Sequence, residues 1–234
     1  MSVKIISWNI RGLNEQDKRL RVRNLIRKWE PGVVCLQETK MGLINRAVVR
    51  SLWGGHVDWS YLGSCGASGG VLVMWDTRVV NKTEEAVERF SVLCKAFTGV
   101  YGPNLHRDRK FLWEELCGLT SWWSVPWFPS EHLGSNSFIA AMREFSNFIS
   151  EQGLINLPLQ GGTFTWSNFR EVVSKARLDR FLFSADWEDK FPIVSQKRLS
   201  RLCSDHFPIV LEGLGLGGIP IRFMVYRVLF WPIN

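Results

Sequence analysis

The chain has 234 residues, 46% of them hydrophobic and 22% charged, which suits one domain with a sizeable core and excludes a disordered chain. Its formal net charge of +7 favours a polyanionic partner such as nucleic acid. No apolar run reaches the roughly 18 residues that a spanning helix needs, so a soluble intracellular protein without membrane contact is the expectation.

Met1 to Ile6 runs straight into a strand pattern, which leaves no room for a signal peptide. Val3–Trp8 is a short β-rich apolar run of the buried-strand type. A helix follows, with Val22, Leu25, Ile26 and Trp29 at helical spacing and Lys18, Arg19, Arg21, Arg23, Arg27 and Lys28 over the remaining surface. Pro31-Gly32 stops it, and Val33–Leu36 forms a second buried strand, a βαβ-like opening. Gly69-Gly70 leads into a strand at Val71–Trp75, and further strands are expected over Val79–Val87 and Ser91–Tyr101. Leu112, Leu116 and Leu119 mark another helix. Phe138, Ala141, Met142, Phe145 and Ile149 line one face of a third, closed by Gly153. Thr163–Trp166, Leu178–Phe183 and Phe207–Leu211 complete the apolar segments. Strands interleaved with a few helices and no repeats fit one domain, either a β-sandwich flanked by helices or another α/β layout, between which composition does not choose. The five Cys and four His are scattered, which suits free thiols in a reducing compartment and argues against a zinc site.

The residues that carry chemistry sit at strand ends. Asn9 directly follows the first buried strand and Glu38 the second. If those strands are parallel, the two emerge side by side, and a lone carboxylate there suits a hard cation with water and phosphate oxygens as its other ligands. Ser204-Asp205-His206 stands at the mouth of a later strand. Such an Asp–His pair can bind phosphate, hold a metal or move a proton, or it can simply cap a turn. Arg177-Leu178-Asp179-Arg180 sets an acid between two bases; it reads as an ion pair or as a carboxylate that orients an imidazole.

Trp8-Asn9, Gln37-Glu38-Thr39, Val100-Tyr101-Gly102-Pro103, Thr165-Trp166-Ser167-Asn168, Leu178-Asp179-Arg180 and Ser204-Asp205-His206 occur in one order along the chain. In that order they resemble the endonuclease/exonuclease/phosphatase (deoxyribonuclease I-like) superfamily. Ser7-Trp8-Asn9-Ile10-Arg11-Gly12 and the stretch from Leu157 to Asn168 are similar to the endonuclease domains of plant LINE-type retrotransposons. The resemblance covers residues 1–213 and leaves 214–234 as an unaligned tail. It implies an α+β fold, a four-layer α/β/β/α sandwich with the active site at one sheet edge. It also implies Mg²⁺, with Mn²⁺ as a substitute, held by Glu38 with support from Asn9. Tyr101 would contact the scissile phosphate or the leaving oxygen, and Asp179 would orient His206, which stabilises the phosphate. Asp205 would stand beside the metal and the nucleophile, and Asn168 would line the site. DNA is the implied partner, with Lys18, Arg19 and Arg23 as candidate contacts. A monomer without an obligate protein partner, nuclear when functional, is the accompanying expectation.

The chain departs from the family's pattern once in its interior. Between Tyr101 and Ser204 the Asp residues are Asp108, Asp179, Asp186 and Asp189, and none has Asn two positions later. The family's Gly-Asp-x-Asn is therefore absent, with an apparent deletion at Trp127–Phe128 that would remove an interior strand. The Asp of that motif activates or orients the attacking water and the Asn donates to the phosphate. Their loss implies impaired turnover, or else a non-catalytic nucleic-acid-binding or unstable remnant. Beyond Ile219-Pro220-Ile221-Arg222-Phe223 the likeness to plant relatives, which continue towards a reverse transcriptase, stops. The expectation is a fragment of a mobile-element protein.

Overall fold

The computed structural model describes residues 2–66, 68–80, 85–94, 97–102, 108–122, 145–168, 171, 173–184, 191, 193–214 and 223–227. Its elements, in chain order, are β1 (Ser2–Asn9), α1 (Gln16–Trp29), β2 (Val33–Gln37), α2 (Arg46–Leu52), β3 (Val57–Leu62), β4 (Val71–Asp76), β5 (Glu85–Val87), β6 (Ser91–Cys94), β7 (Phe97–Tyr101) and α3 (Arg109–Trp122). A helical segment at 145–151, here α4, follows. Then come β8 (Leu154–Asn156), β9 (Leu159–Gln160), β10 (Trp166–Ser167), β11 (Lys175–Ala176), β12 (Asp179–Ser184), β13 (Ile193–Arg198), β14 (Ile209–Leu214) and β15 (Phe223–Arg227).

Two sheets stack face to face. The first has the order β3-β4-β2-β1-β14-β13-β9 and the second β5-β6-β7-β15-β12-β8, with β10-β11 as a separate hairpin. Strand alternation sorts side chains by layer. Ile5, Cys35, Val73, Ile209 and Leu211 face Phe181 and Phe183 between the sheets. Their neighbours Ile6, Trp8, Val34 and Leu36 point outward, against Val22 and Ile26 of α1 and Val49 and Leu52 of α2. On the far face, Leu112, Leu116, Phe145 and Phe148 of α3 and α4 cover Val100 and Leu182. Because both faces of β2 and β4 are covered, all their residues are buried, which explains their unbroken apolar runs. The result is the expected α/β/β/α sandwich.

Gly99 of β7 marks a close approach of the sheets. A Cβ there would stand 2.8 Å from Cys35 Sγ and 3.1 Å from methyls of both Val71 and Val73, so a side chain would have to force the layers apart. Gly153 has φ +57°, the left-handed residue expected to close α4. Phe138, Ala141 and Met142, expected on that helix, lie outside the described residues.

Two expected strands are revised. Among its described residues, Val79–Val87 is a strand over Glu85–Val87. Its start is instead a turn, in which the backbone N–H of Val79 and Val80 donate to Asp76 O, each at 3.0 Å. Ser91–Tyr101 divides into β6 and β7, which pair antiparallel with Cys94 opposite Phe97.

The interior of the second sheet holds the main surprise. The stretch around Trp127–Phe128, where a deletion and the loss of an interior strand were expected, lies outside the described residues. The place between β7 and β12 is taken by β15, from the tail the resemblance left unaligned. β15 runs parallel to β7, with Arg227 opposite Tyr101. It runs antiparallel to β12, with Arg227 opposite Asp179. The facing edges of β7 and β12 are thus both paired.

Candidate active site

Topology gathers one edge of both sheets. β1 and β2 are parallel, with Asn9 opposite Gln37, so Asn9 and Glu38 leave the first sheet together. β14 is antiparallel to β1, which brings the residues before it, Ser204 to His206, to the same edge. In the second sheet β7 ends there at Tyr101 and β12 begins there at Asp179.

His206 joins the two sheets. Its Nδ1 lies 2.9 Å from Asp179 Oδ2, and the residues are 1% and 0% exposed. A carboxylate at Nδ1 fixes the ring orientation and presents Nε2 at the opposite corner. Asp179 is held from behind, because Thr165 Oγ1 accepts from the backbone N–H of both Leu178 and Asp179 at 3.0 Å. Thr165→Val keeps the shape and strands two buried donors, at about 1–3 kcal/mol each. Denaturant unfolding of Thr165→Val is therefore expected to show a loss of at least about 2 kcal/mol; an unchanged midpoint would remove Thr165 from this role.

Asp205 is tied down by several groups. Its Oδ2 accepts from Trp166 Nε1 at 2.7 Å and from Arg11 Nη1 at 2.5 Å. Its carbonyl accepts from Ser167 N–H and from Arg201 Nη1. Ser204 Oγ donates to Asn9 O at 2.7 Å and accepts from His206 N–H at 3.1 Å. This hydroxyl stitches the strand-mouth loop to β1.

Glu38 sits at φ +56°, an uncommon conformation for a residue with a side chain, and is 7% exposed. Neighbouring backbone holds it there. Gly12 N–H donates to Glu38 O at 2.7 Å, Leu13 N–H to Thr39 O, and Thr39 N–H to Gly70 O. Gly70 itself has φ +87°, and a Cβ on it would run into Thr39 Oγ1. Asn9 is fully buried; its Oδ1 accepts from Arg11 N–H, while its Nδ2 has no hydrogen-bond partner among the described residues.

The remaining candidates are spread around this group. Tyr101 is buried at the end of β7, in the cluster that includes Trp166 and Leu178. Asn168 follows Ser167 and closes the β10-β11 hairpin, its Oδ1 accepting from Ser174 N–H. Lys18 Nζ donates to Arg11 O, and burial holds its ammonium below the usual pKa. Arg19 Nη1 donates to the carbonyls of Leu13 and Asn14. Arg23 lies farther along α1, near Gly54. Sequence reading gave no role to Arg11, Thr165 or Ser204. Each lies inside or beside a recognised motif, but only the fold shows what it touches.

No three His, Cys, Asp or Glu side chains form a metal-holding group among the described residues. The carboxylates of Glu38 and Asp205 nevertheless converge on one guanidinium, that of Arg11, at 3.7 and 2.5 Å. Two nearly buried acids sharing one cation form a donor set that fits Mg²⁺, which takes one or two carboxylates and keeps several waters. Among the described residues no helix is long and apolar enough to cross a membrane.

Residues 6–116 match the endonuclease/exonuclease/phosphatase family. The AP endonuclease LMAP from Leishmania major is similar in structure, with TM-score 0.63 and 15% identity over 91% of this chain and 87% of that one. The endonuclease domain of TRAS1, a telomere-specific non-LTR retrotransposon, gives 0.61 and 12%, covering 92% and 100%. TDP2 of D. rerio, complexed with a single-strand DNA product, gives 0.57 and 17%, covering 91% and 99%. No curated protein matches the chain in sequence.

Proposed function

We propose that this chain, a member of the endonuclease/exonuclease/phosphatase superfamily, carries a Mg²⁺-dependent phosphodiesterase site of the DNA-nicking retrotransposon type, with turnover well below that of a complete site. The observation that carries this reading is the buried Asp179–His206 pair beside Glu38, Asp205 and Asn9, assembled from both sheets at one edge. A nuclease domain follows from the family; the metal, the substrate and the impairment are our proposals.

Members of this family generally use divalent metals. Glu38 and Asp205 would hold Mg²⁺, with Asn9 beside them; when bound it supplies positive charge against the phosphate oxygens. Asp179 keeps His206 in one orientation, so that Nε2 meets the phosphoryl oxygen on which charge grows. Asn9 Nδ2 is a buried donor that a phosphate oxygen or the attacking water would satisfy. Tyr101 closes the edge from the second sheet, next to the leaving oxygen. Water attacks phosphorus in line, the P–O ester bond breaks, and the leaving oxygen takes up a proton.

The limiting step is activation of that water. Gly-Asp-x-Asn is missing from the sequence, and with it the Asp that the resemblance gives as the group activating or orienting the water. General-base help is worth about 10²–10⁴-fold, so turnover should fall by at least about 10²-fold. Arg198 and Arg201 stack on Phe207 at 4.1 and 4.6 Å close to Asp205, a basic and aromatic margin that supports DNA as the partner; a monomeric, nuclear protein belongs to the same proposal. The test is conversion of supercoiled plasmid to the nicked form. Slow nicking that requires Mg²⁺ and disappears in Glu38→Ala supports the reading. Salt-dependent DNA binding with no cleavage at any enzyme concentration would replace it with a non-catalytic binding role.

A further inference from the structure

We propose that Arg11 is a tethered cation that competes with the divalent metal for Glu38 and Asp205, so that the free protein holds its own metal seat closed. The inference rests on the metal-site reading above and adds its regulation.

Three observations carry it. First, the guanidinium touches both carboxylates at once, through Nε to Glu38 and Nη1 to Asp205. The two acids are 9% and 10% exposed at their side chains. Like charges this shielded repel strongly and require a cation between them. Secondly, the backbone of Arg11 is fixed. Its N–H donates to Asn9 Oδ1 at 3.0 Å and its carbonyl accepts from Lys18 Nζ at 3.3 Å. The flanking Ile10 and Gly12 N–H groups donate to Gln37 O and Glu38 O, and φ is held at +52°. Thirdly, the side chain is 38% exposed, so it alone can swing out towards solvent or an arriving phosphate.

A rigid tether with a mobile charged end gives an effective local concentration of about millimolar order. Mg²⁺ must displace that charge to bind, whereas a phosphodiester offers the guanidinium a bidentate alternative. Closed in free protein, the seat would open as DNA draws Arg11 away. An ordinary structural ion pair would predict the reverse for metal affinity: removing Arg11 would loosen the loop and weaken the site.

The experiment is titration of the 234-residue chain with Mn²⁺, reading free ion by electron paramagnetic resonance, for wild type, Arg11→Gln, Arg11→Lys and Glu38→Gln. Thermal unfolding of each variant, without metal, checks that it is folded. Arg11→Gln should bind Mn²⁺ at least tenfold more tightly than wild type, Arg11→Lys should stay near wild type because it keeps the charge, and Glu38→Gln should bind least. Equal or weaker binding by Arg11→Gln overturns the inference and leaves the metal site standing. Tightening by Arg11→Lys as large as by Arg11→Gln also overturns it, since charge would not be the cause. Absence of Mn²⁺ binding in both wild type and Arg11→Gln overturns the inference together with the metal-site reading.

Discussion

Val225→Pro is expected to lower the melting temperature by roughly 6–12 °C, the equivalent of about 3 kcal/mol for a domain of this length. Val225 lies in the middle of β15, opposite Gly99 on one side and Phe181 on the other. An interior strand has its backbone donors committed to its neighbours, so proline there removes a ladder bond and its ring disturbs the pairing. The loss spreads, because in the described sheet β15 lies between β7 and β12, which carry Tyr101 and Asp179 at the candidate site. Amide hydrogen exchange should therefore show lost protection at 97–101 and 179–182 as well as at 223–227. A melting temperature within a degree of wild type, with protection unchanged, would mean that the tail is not part of the sheet.

His206→Ala is expected to cost about 3–5 kcal/mol of stability, because it leaves the Asp179 carboxylate buried without its imidazole. The same change should lower residual nicking by about 10²–10⁴-fold. These two effects separate in Asp179→Asn, which keeps the shape and the N–H bonds to Thr165 but withdraws the charge that orients the ring. That variant should unfold within about 1 kcal/mol of wild type and still lose at least about 10²-fold in rate. Equal rates for Asp179→Asn and wild type would show that the pair is structural cement and nothing more.

The contrast between these two sites matches what could be read before the fold was known. β1 and β2 were legible because strands covered on both faces must be apolar throughout, and their parallel pairing made Asn9 and Glu38 neighbours. Asp179 and His206 were legible only through the family's ordered motifs; nothing local joins residues 27 apart in sequence. β13 escaped notice because Ile193–Arg198 has one buried residue among partly covered ones. α2 is too short, at seven residues, for a helical period to stand out. β15 was the hardest to foresee. Phe223–Arg227 reads as apolar chain, and its partners on β7 lie more than a hundred residues earlier, so no local pattern announces where it goes. Arg11 was invisible for another reason: its role depends on two carboxylates from different loops. The sequence reading expected an interior strand to be lost near Trp127–Phe128, which lies outside the described residues, and it did not foresee β15 between β7 and β12. The tail pairs with both β7 and β12.

The proposed function combines an intact α/β/β/α sandwich with a slowed hydrolytic step. It is tested most directly by nicking supercoiled plasmid with this protein and with the TRAS1 endonuclease domain side by side, at equal enzyme concentration and saturating Mg²⁺. The account predicts Mg²⁺-dependent nicking at least about 100-fold slower than TRAS1 and abolished by His206→Ala. A rate within about tenfold of TRAS1 would contradict it, because a site lacking the Asp-x-Asn pair would then be turning over at nearly full speed.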